Sequence, residues 1–308
     1  MDEALGKVAR RQWGVFSRAQ ALEAGATHAV VGRRLASGAW LKVEHGIYRF
    51  PGGHPSWHQK VMAATLSLPG AMASHRTAAF LWQLECFHGP PALIEVTVGF
   101  NHSRRLRLAR VHHTRRLPEA QHRQGIATAP LARTLVDLSD VVSEEMLFVA
   151  FDSARRKYPS VLARLEEELS ANGAGRRHGD RLAEMASRAK GEQPTGSPLE
   201  AQTAFKLEKR RGMPRPKRQH RVHDDKGNFI ARVDFAWVEQ RVILQCDSRQ
   251  FHLTPDAFEK DLLQRRQLES HGWRVVHVTK LMLKTQDWLV DVERLLDAQR
   301  RLALYATD

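Results

Sequence analysis

V-I-L-Q-C-D-S-R-Q-F-H, Val242 to His252, reads as a buried strand that ends on an acid, with a histidine five residues beyond. Just before it stands F-I-A-R-V-D-F-A-W, Phe229 to Trp237, a second strand pattern, and the V-E-Q connection is short enough to make the two an antiparallel hairpin. Side chains alternate along a strand, so Arg232, Asp234 and Ala236 share one face and Ile243, Gln245 and Asp247 share another. The hairpin is expected to bring Asp234 beside Gln245 and Asp247. Two carboxylates and an amide on a half-buried face are costly unless something binds them. The plainer alternative leaves both aspartates at strand ends, meeting water or arginine.

Upstream of the hairpin, S-P-L-E opens a helix with Ser197 as cap, Pro198 in the first turn and Glu200 at the third position. That helix should run to Arg211 and stop at Gly212. The basic R-Q-H-R-V-H then leads to a turn at Asp225-Lys226-Gly227. Beyond the hairpin, Thr254-Pro255 starts a helix ending at Gly272, W-R-V-V-H-V-T is a strand, and Trp288–Ala303 is an amphipathic helix. The order α-β-β-β-α-β is the core order of restriction-endonuclease-like folds, whose central strands carry carboxylates that hold Mg²⁺, an ion that prefers oxygen ligands.

The N-terminal residues 1–52 have a different pattern. A helix is expected over Ala4–Trp13. Ser17 caps R-A-Q-A-L-E-A-G, stopped by Gly25, and Thr27 caps H-A-V-V-G-R-R-L-A-S-G, stopped by Gly38. W-L-K-V-E-H-G-I-Y-R-F alternates as two strands around His45-Gly46. This is the order of a winged helix-turn-helix, in which the third helix enters the major groove. Thr27, His28, Arg33 and Arg34 would meet DNA, with Lys42 on the wing, although such a domain also serves as a plain protein-interaction module.

Residues 53–170 read as a mixed α/β middle domain. It holds the helix W-H-Q-K-V-M-A-A-T-L, a helix S-H-R-T-A-A-F-L-W-Q-L capped at Ser74, the strand L-I-E-V-T-V, and a helix from A-P-L-A-R-T-L-V-D-L. Ser74-His75 is not expected to be a nucleophile and base, because adjacent helical residues do not face each other. Arg133 and Asp137, four apart, read as a surface ion pair. Residues 171–196, rich in Gly, Arg, Ser and Ala, read as a linker with one polar helix over Asp180–Ala189, before a C-terminal domain over 197–308. The fold class is thus α/β, or α+β overall.

Charge points to a polyanion. The formal balance is +14 at pH 7, and it is clustered. Arg104 to Arg116 holds six arginines and no acid; Lys206 to Arg221 holds eight Lys or Arg against Glu208 alone. Arg104, Arg105 and Arg107, with Lys206, Arg210, Lys217 and Arg218, are the expected phosphate contacts. Two cysteines, Cys86 and Cys246, exclude a disulfide framework and a cysteine-based zinc module. No apolar run approaches the ~20 residues of a membrane span, and the N-terminus lacks a signal-peptide core. A cytoplasmic, nucleoid-associated protein with DNA as partner and no membrane is expected.

Two resemblances sharpen these expectations. Asp234, thirteen residues on Asp247, and five further His252 match the spacing of the very-short-patch repair (Vsr) endonucleases. The run S-P-L-E … R-V-D-F-A-W … D-S-R-Q-F-H … D-L-L-Q-R-R … G-W-R-V-V-H-V-T also resembles the DUF559 family, described as Vsr-like within the PD-(D/E)xK nucleases. That resemblance implies a Mg²⁺- or Mn²⁺-dependent endodeoxyribonuclease. Asp234 and the Cys246 carbonyl would bind metal, Asp247 would bind metal or orient water, and His252 would act as general acid/base. Glu200 fits the family's helix glutamate and equally a capping box, and Asp261 is a weaker candidate. Gln245 stands where family members often carry Glu, and Ser248 replaces a common glycine. V-F-S-R-A-Q-A-L-E-A-G … V-V-G-R-R-L-A-S-G-A-W-L-K-V-E-H-G-I-Y resembles the winged helix of AbiEi-type antitoxins, and the middle segment resembles the part of those proteins that adjoins it. AbiEi proteins are DNA-binding autoregulators, which implies the alternative: a non-catalytic regulator or antitoxin with a degenerate nuclease fold. An RNA-cleaving toxin is a third reading. Cutting both strands would call for a homodimer or sequential nicking.

Overall fold

The computed structural model describes residues 1–100, 104–247 and 255–305. The chain divides into two compact units, Met1–Ala150 with Ser160–Ala183, and Phe151–Pro159 with Glu184–Asp308. Both mix helices and sheet.

The first unit begins with α1 (Asp2–Arg11), β1 (Val15–Ser17), α2 (Arg18–Glu23), α3 (His28–Ala36), β2 (Leu41–Glu44) and β3 (Ile47–Arg49). Local chemistry sets these boundaries. Ser17 and Gln20 form a reciprocal capping box at α2, and the Thr27 hydroxyl accepts from Val30 N at α3. Gly25 and Gly38 adopt the left-handed φ that ends each helix. α1 stops two residues short of Trp13, which itself has φ +54 and is followed by Gly14 at +87. The three-residue β1, too short to show alternation in sequence, pairs with β3 and completes a sheet of order β1-β3-β2. Leu5, Phe16, Ala21, Val31, Trp40 and Tyr48 form its core.

The same unit continues through α4 (Trp57–Leu66), β4 (Met72–Ala73), α5 (His75–Leu81), β5 (Ile94–Gly99), β6 (Ala109–Thr114), β7 (Gln121–Arg123), β8 (Ile126–Thr128) and α6 (Leu131–Leu138). Then come α7 (Glu144–Lys157) and α8 (Val161–Asn172). The sheet order is β6-β5-β4-β8-β7. Beside its middle strands lies a buried polar network. Glu95, fully buried, accepts from Arg76 N (3.1 Å), from the Arg76 guanidinium (3.2 and 3.3 Å) and pairs with His112 Nε2 (3.2 Å). His75 stacks on His112 with ring centroids 3.7 Å apart.

Two expectations are corrected here. Ser74 precedes α5 in extended conformation and His75 has φ +50, so the helical spacing argument does not hold, and the Ser74 Oγ lies 2.9 Å from His75 Nδ1. The hydroxyl therefore does not cap α5. Both side chains are buried, at 0% and 4% exposure, so the pair is structural and closed to a substrate. Arg133 and Asp137 do pair, at 2.9 Å, but inside the protein: α6 is covered on all sides, and Arg176 adds a second contact to Asp137 at 3.0 Å.

Burial, then the positive charge of His112, pushes His75 down to about 3, outweighing the opposing pull of Glu95 and Asp140. A histidine held neutral in the fold and free to protonate when unfolded gives stability that is full above the unfolded value near ~6.5 and is lost as pH falls toward the folded value. We expect the first unit to lose stability between pH ~6.5 and ~3, at up to about 1.4 kcal/mol per pH unit. Chemical denaturation at stepped pH checks this: His75→Gln should flatten the dependence, and an unchanged slope in that variant would assign it elsewhere.

The second unit contains the C-terminal part of α7, the end of α9 (Gly179–Arg188), α10 (Pro198–Lys209), β9 (Lys217–His223), β10 (Phe229–Trp237), β11 (Val242–Asp247), α11 (Pro255–Ser270), β12 (Arg274–Thr279) and α12 (Asp287–Tyr305). α9 buries Leu182, Met185 and Ala186, so the stretch expected as a linker carries a packed helix. The sheet order is β12-β11-β10-β9. β9, β10 and β11 are antiparallel neighbours, whereas β11 and β12 are parallel, a pairing that requires the α11 crossover. Val222, Ala231, Val233, Ala236, Ile243, Leu268 and Trp273 form the core.

Candidate nucleic-acid interface and acidic cluster

In the first unit, α3 presents Thr27, His28, Ala29, Gly32, Arg33 and Ala36 to solvent. Apart from His28 and Arg33 these are small residues, so the backbone of α3 is open to close approach. His28 Nδ1 lies 2.8 Å from the Arg18 guanidinium, which ties the start of α3 to α2. Arg34 points elsewhere: it is half-buried and holds Asp2 at 2.6 Å, which spends part of its charge inside the fold. Lys42 is exposed on the β2–β3 hairpin.

The arginine-rich segment adjoins that hairpin. Glu44, 6% exposed, accepts from Arg107 N at 2.9 Å and Leu108 N at 3.1 Å while its other oxygen accepts from His45 N. One buried carboxylate thus pins the arginine segment to the hairpin tip. Arg104, Arg105, Arg107 and Arg110 remain exposed. The sequence shows the arginines, but nothing in it signals the Glu44 anchor.

In the second unit the structure gathers part of the expected acidic site. The register Phe235↔Leu244 carries Asp234 to the level of Gln245. β10 and β11 part there: the Cys246 N–H donates to Asp234 Oδ2 at 2.8 Å. The Gln219 amide donates to Glu200 Oε2 at 2.6 Å and to Asp234 Oδ1 at 3.3 Å, so the amide that bridges the carboxylates comes from β9, not from Gln245. Gln219 takes φ +49, a left-handed kink in β9. Glu200 is both things the sequence allowed. Its N–H donates to the Ser197 cap, while its carboxylate accepts from Gly196 N at 2.6 Å and from Gln219.

Asp247 is exposed and lies 3.1 Å from His277 Nδ1, a residue that no sequence pattern singles out. His277 pairs in register with Gln245 across β11 and β12. The Cys246 thiol contacts Thr203 at 3.3 Å, and burial pushes it far above its ordinary range, so it is no nucleophile. His252 and Ser248 lie outside the described residues, and Asp261 falls on α11 with its side chain outside them.

Burial pushes Glu200 up, reinforced by the charge of Asp234; burial also raises Asp234, against the Cys246 and Gln219 hydrogen bonds. Two partly desolvated acids beside each other favour either a shared proton or a cation. Hard oxygen donors suit Mg²⁺ or Mn²⁺. Among the described residues, however, no three His, Cys, Asp or Glu side chains converge to hold a metal ion, and the Gln219 amide occupies the position between the carboxylates.

Four expected phosphate contacts fall in this unit. Arg210 is held by Glu293 at 2.6 Å on both oxygens, and Arg218 by Glu208 at 2.7 Å and Glu192 at 3.5 Å, so both are committed to internal ion pairs. Lys206 is half-buried and Lys217 exposed.

A family model described as "Transcriptional regulator, AbiEi antitoxin" matches residues 3–51. Two uncharacterized proteins of Mycobacterium tuberculosis, from strains CDC 1551 / Oshkosh and ATCC 25618 / H37Rv, are each 27% identical over 153 residues. The alignment takes in 50% of this chain, and the chain spans about half the length of these curated relatives, 54%. No helix among the described residues is long and apolar enough to cross a membrane.

Proposed function

We propose that this chain is a DNA-binding transcriptional regulator of the AbiEi antitoxin kind, with α1–α3 and the β2–β3 hairpin acting as a winged helix-turn-helix. The observation that carries the reading is the exposed face of α3, where Arg33 and His28 stand among Ala29, Gly32 and Ala36, within the segment that matches the AbiEi model. A small-residue helix face admits the close approach that base-edge contacts in the major groove need. Lys42 and the Glu44-anchored arginines would extend the contact along the phosphate backbone. A reporter driven by the DNA upstream of its own gene is the test. The wild-type protein should repress it and Arg33→Ala should not; equal repression by both would remove α3 from the mechanism.

A second reading is favoured by one observation, the juxtaposition of Glu200, Asp234 and the Cys246 main chain at the end of the β10–β11 pair. In a sheet of the restriction-endonuclease-like order, Asp234, Glu200, Asp247 and the Cys246 carbonyl would hold a divalent cation, after the Gln219 amide has turned aside. The ion would supply Lewis acidity at a phosphate. Of the chain's own groups, His277 fixes the orientation of Asp247 and Cys246 N fixes that of Asp234. Plasmid nicking with Mg²⁺, Mn²⁺ or chelator tests this. Asp234→Asn should lower any metal-dependent nicking by at least ~100-fold, the scale for removing one group that stabilises developing charge, and leave DNA affinity unchanged. Nicking that survives in Asp234→Asn would mean the activity lies elsewhere.

A further inference from the structure

In the second unit, β9 is an outer strand of the sheet, and its outward side chains are unlike the other cations of that unit. Arg221 of β9 and Arg232 of β10 are direct cross-strand partners, and both are exposed. Directly opposed residues of an antiparallel pair project from the same face, and like charges placed so are destabilising. Elsewhere in this unit the guanidinium groups are matched: Arg210 with Glu293, Arg218 with Glu208, Arg188 with Glu184 and Glu208. Among the described residues no carboxylate lies within ion-pair distance of Arg221 or Arg232. An uncompensated pair of this kind is a cost that a bound anion converts into two charge-assisted contacts.

A third group adjoins them. Phe229, 52% exposed, pairs with His223 at the far end of the β9–β10 ladder. The Arg221 guanidinium lies 4.8 Å from its ring centroid, and the His223 ring meets it edge-on at 6.0 Å. An exposed aromatic braced by cations on a sheet surface is the arrangement that stacks an unpaired base while neighbouring arginines take the phosphates. Position adds to chemistry. Arg232 is two residues from Asp234, so the arginine pair lies on the same strand face, about 7 Å along from the Glu200–Gln219–Asp234 cluster.

We propose that Arg221, Arg232 and Phe229 form a contact surface for single-stranded nucleic acid, the arginines binding phosphates and Phe229 stacking on a base. The surface is separate from the winged helix and does not rest on the regulator reading. Strand ends freed from a duplex, or an RNA, would both present the phosphates and unpaired bases it needs.

The test uses the full chain with excess unlabelled duplex, so that the winged helix is occupied. Fluorescein-labelled dT20 and rU20 are titrated by anisotropy across a salt series. Arg221→Ala/Arg232→Ala should weaken binding at least tenfold and lower the log–log salt slope by about 1.4, since each phosphate neutralised on a single strand contributes about 0.7. The same variant should melt no lower than wild type, since it removes a repulsion; a lost fold would show as a lower Tm. Phe229→Ala should weaken binding about fivefold or more with the salt slope unchanged, and Phe229→Trp should restore it. The tighter of the two oligonucleotides identifies DNA or RNA as the source, and equal affinity supports the shared chemistry. Wild-type affinity for both oligonucleotides in the double arginine variant, or no binding of either by the wild type at about 50 mM salt, the low end of the usual range, would overturn the proposal.

Discussion

Glu95→Ala is expected to destabilise the first unit by about 3 kcal/mol, the lower end of the range for stripping one partner from a buried ion pair. Burial pushes the Glu95 carboxyl up, but the His112 hydrogen bond, the charge on the facing histidine His75 and the contacts with Arg76 outweigh it, so the group sits below its ordinary value. At neutral pH it is a carboxylate with no exposure, satisfied by Arg76 through main chain and side chain and by His112. Alanine leaves those donors without their acceptor and leaves a void beside Thr77, whose hydroxyl accepts from Glu95 N. Arg76 is 28% exposed and recovers some hydration, which is why the lower end applies. In a unit of this size the melting midpoint should fall by about 6–12 °C. Glu95→Gln keeps an acceptor and should lose roughly half as much. A midpoint for Glu95→Ala within about 2 °C of wild type, well short of that fall, would show that the network is not what holds β5 to α5. The stabilising share of Glu95 is present above the unfolded carboxylate value near ~4.3 and is lost as pH falls through the lowered folded value, so the gap between wild type and Glu95→Ala should narrow in acid.

Duplex affinity should respond as strongly to changes on α3 and the wing. His28→Ala/Arg33→Ala/Lys42→Ala should weaken duplex binding on the order of 100-fold, because a base-reading arginine is worth about 1–3 kcal/mol and each phosphate contact adds about 0.9 to the salt slope. All three side chains are exposed and none supports the core of Phe16, Trp40 and Tyr48, so the variant should melt like the wild type. Arg34→Ala behaves differently: it breaks the Asp2 pair and should affect binding less than Arg33→Ala. Equal losses for Arg33→Ala and Arg34→Ala would mean that the face assigned to the groove is turned.

Sequence is most informative where structure is set within a few residues. Ser17, Thr27, Gly25 and Gly38 announce α2 and α3 because capping and left-handed stops are local. The strands β9 to β12 and their crossover are legible because their runs are six residues or longer. β1, β4, β7 and β8 are not, since two or three residues hold no period. The surface reading of Arg133 and Asp137 fails for a related reason. Spacing four apart shows that two groups meet but says nothing of what covers them, and α6 is enclosed by neighbours distant in sequence. At the acidic cluster, the pattern of strands and caps places Asp234 and Glu200 but not Gln219 or His277. Those two arrive through strand register, one by a kink in β9 and one by parallel pairing to β11. Charge density singles out Arg210 and Arg218 as phosphate contacts, but the fold spends both on glutamates that only packing brings near.

Whether α3 reads duplex DNA is decided by titrating the full chain against duplex from its own upstream region and against a scrambled duplex of the same composition, at two salt concentrations, with wild type beside Arg33→Ala. Binding of the upstream duplex should be tighter by at least about tenfold, the scale of one good base contact. That preference should persist at the higher salt and disappear in Arg33→Ala. Equal affinity for the two duplexes, or a preference that Arg33→Ala retains in full, would refute the assignment of α3 to the groove.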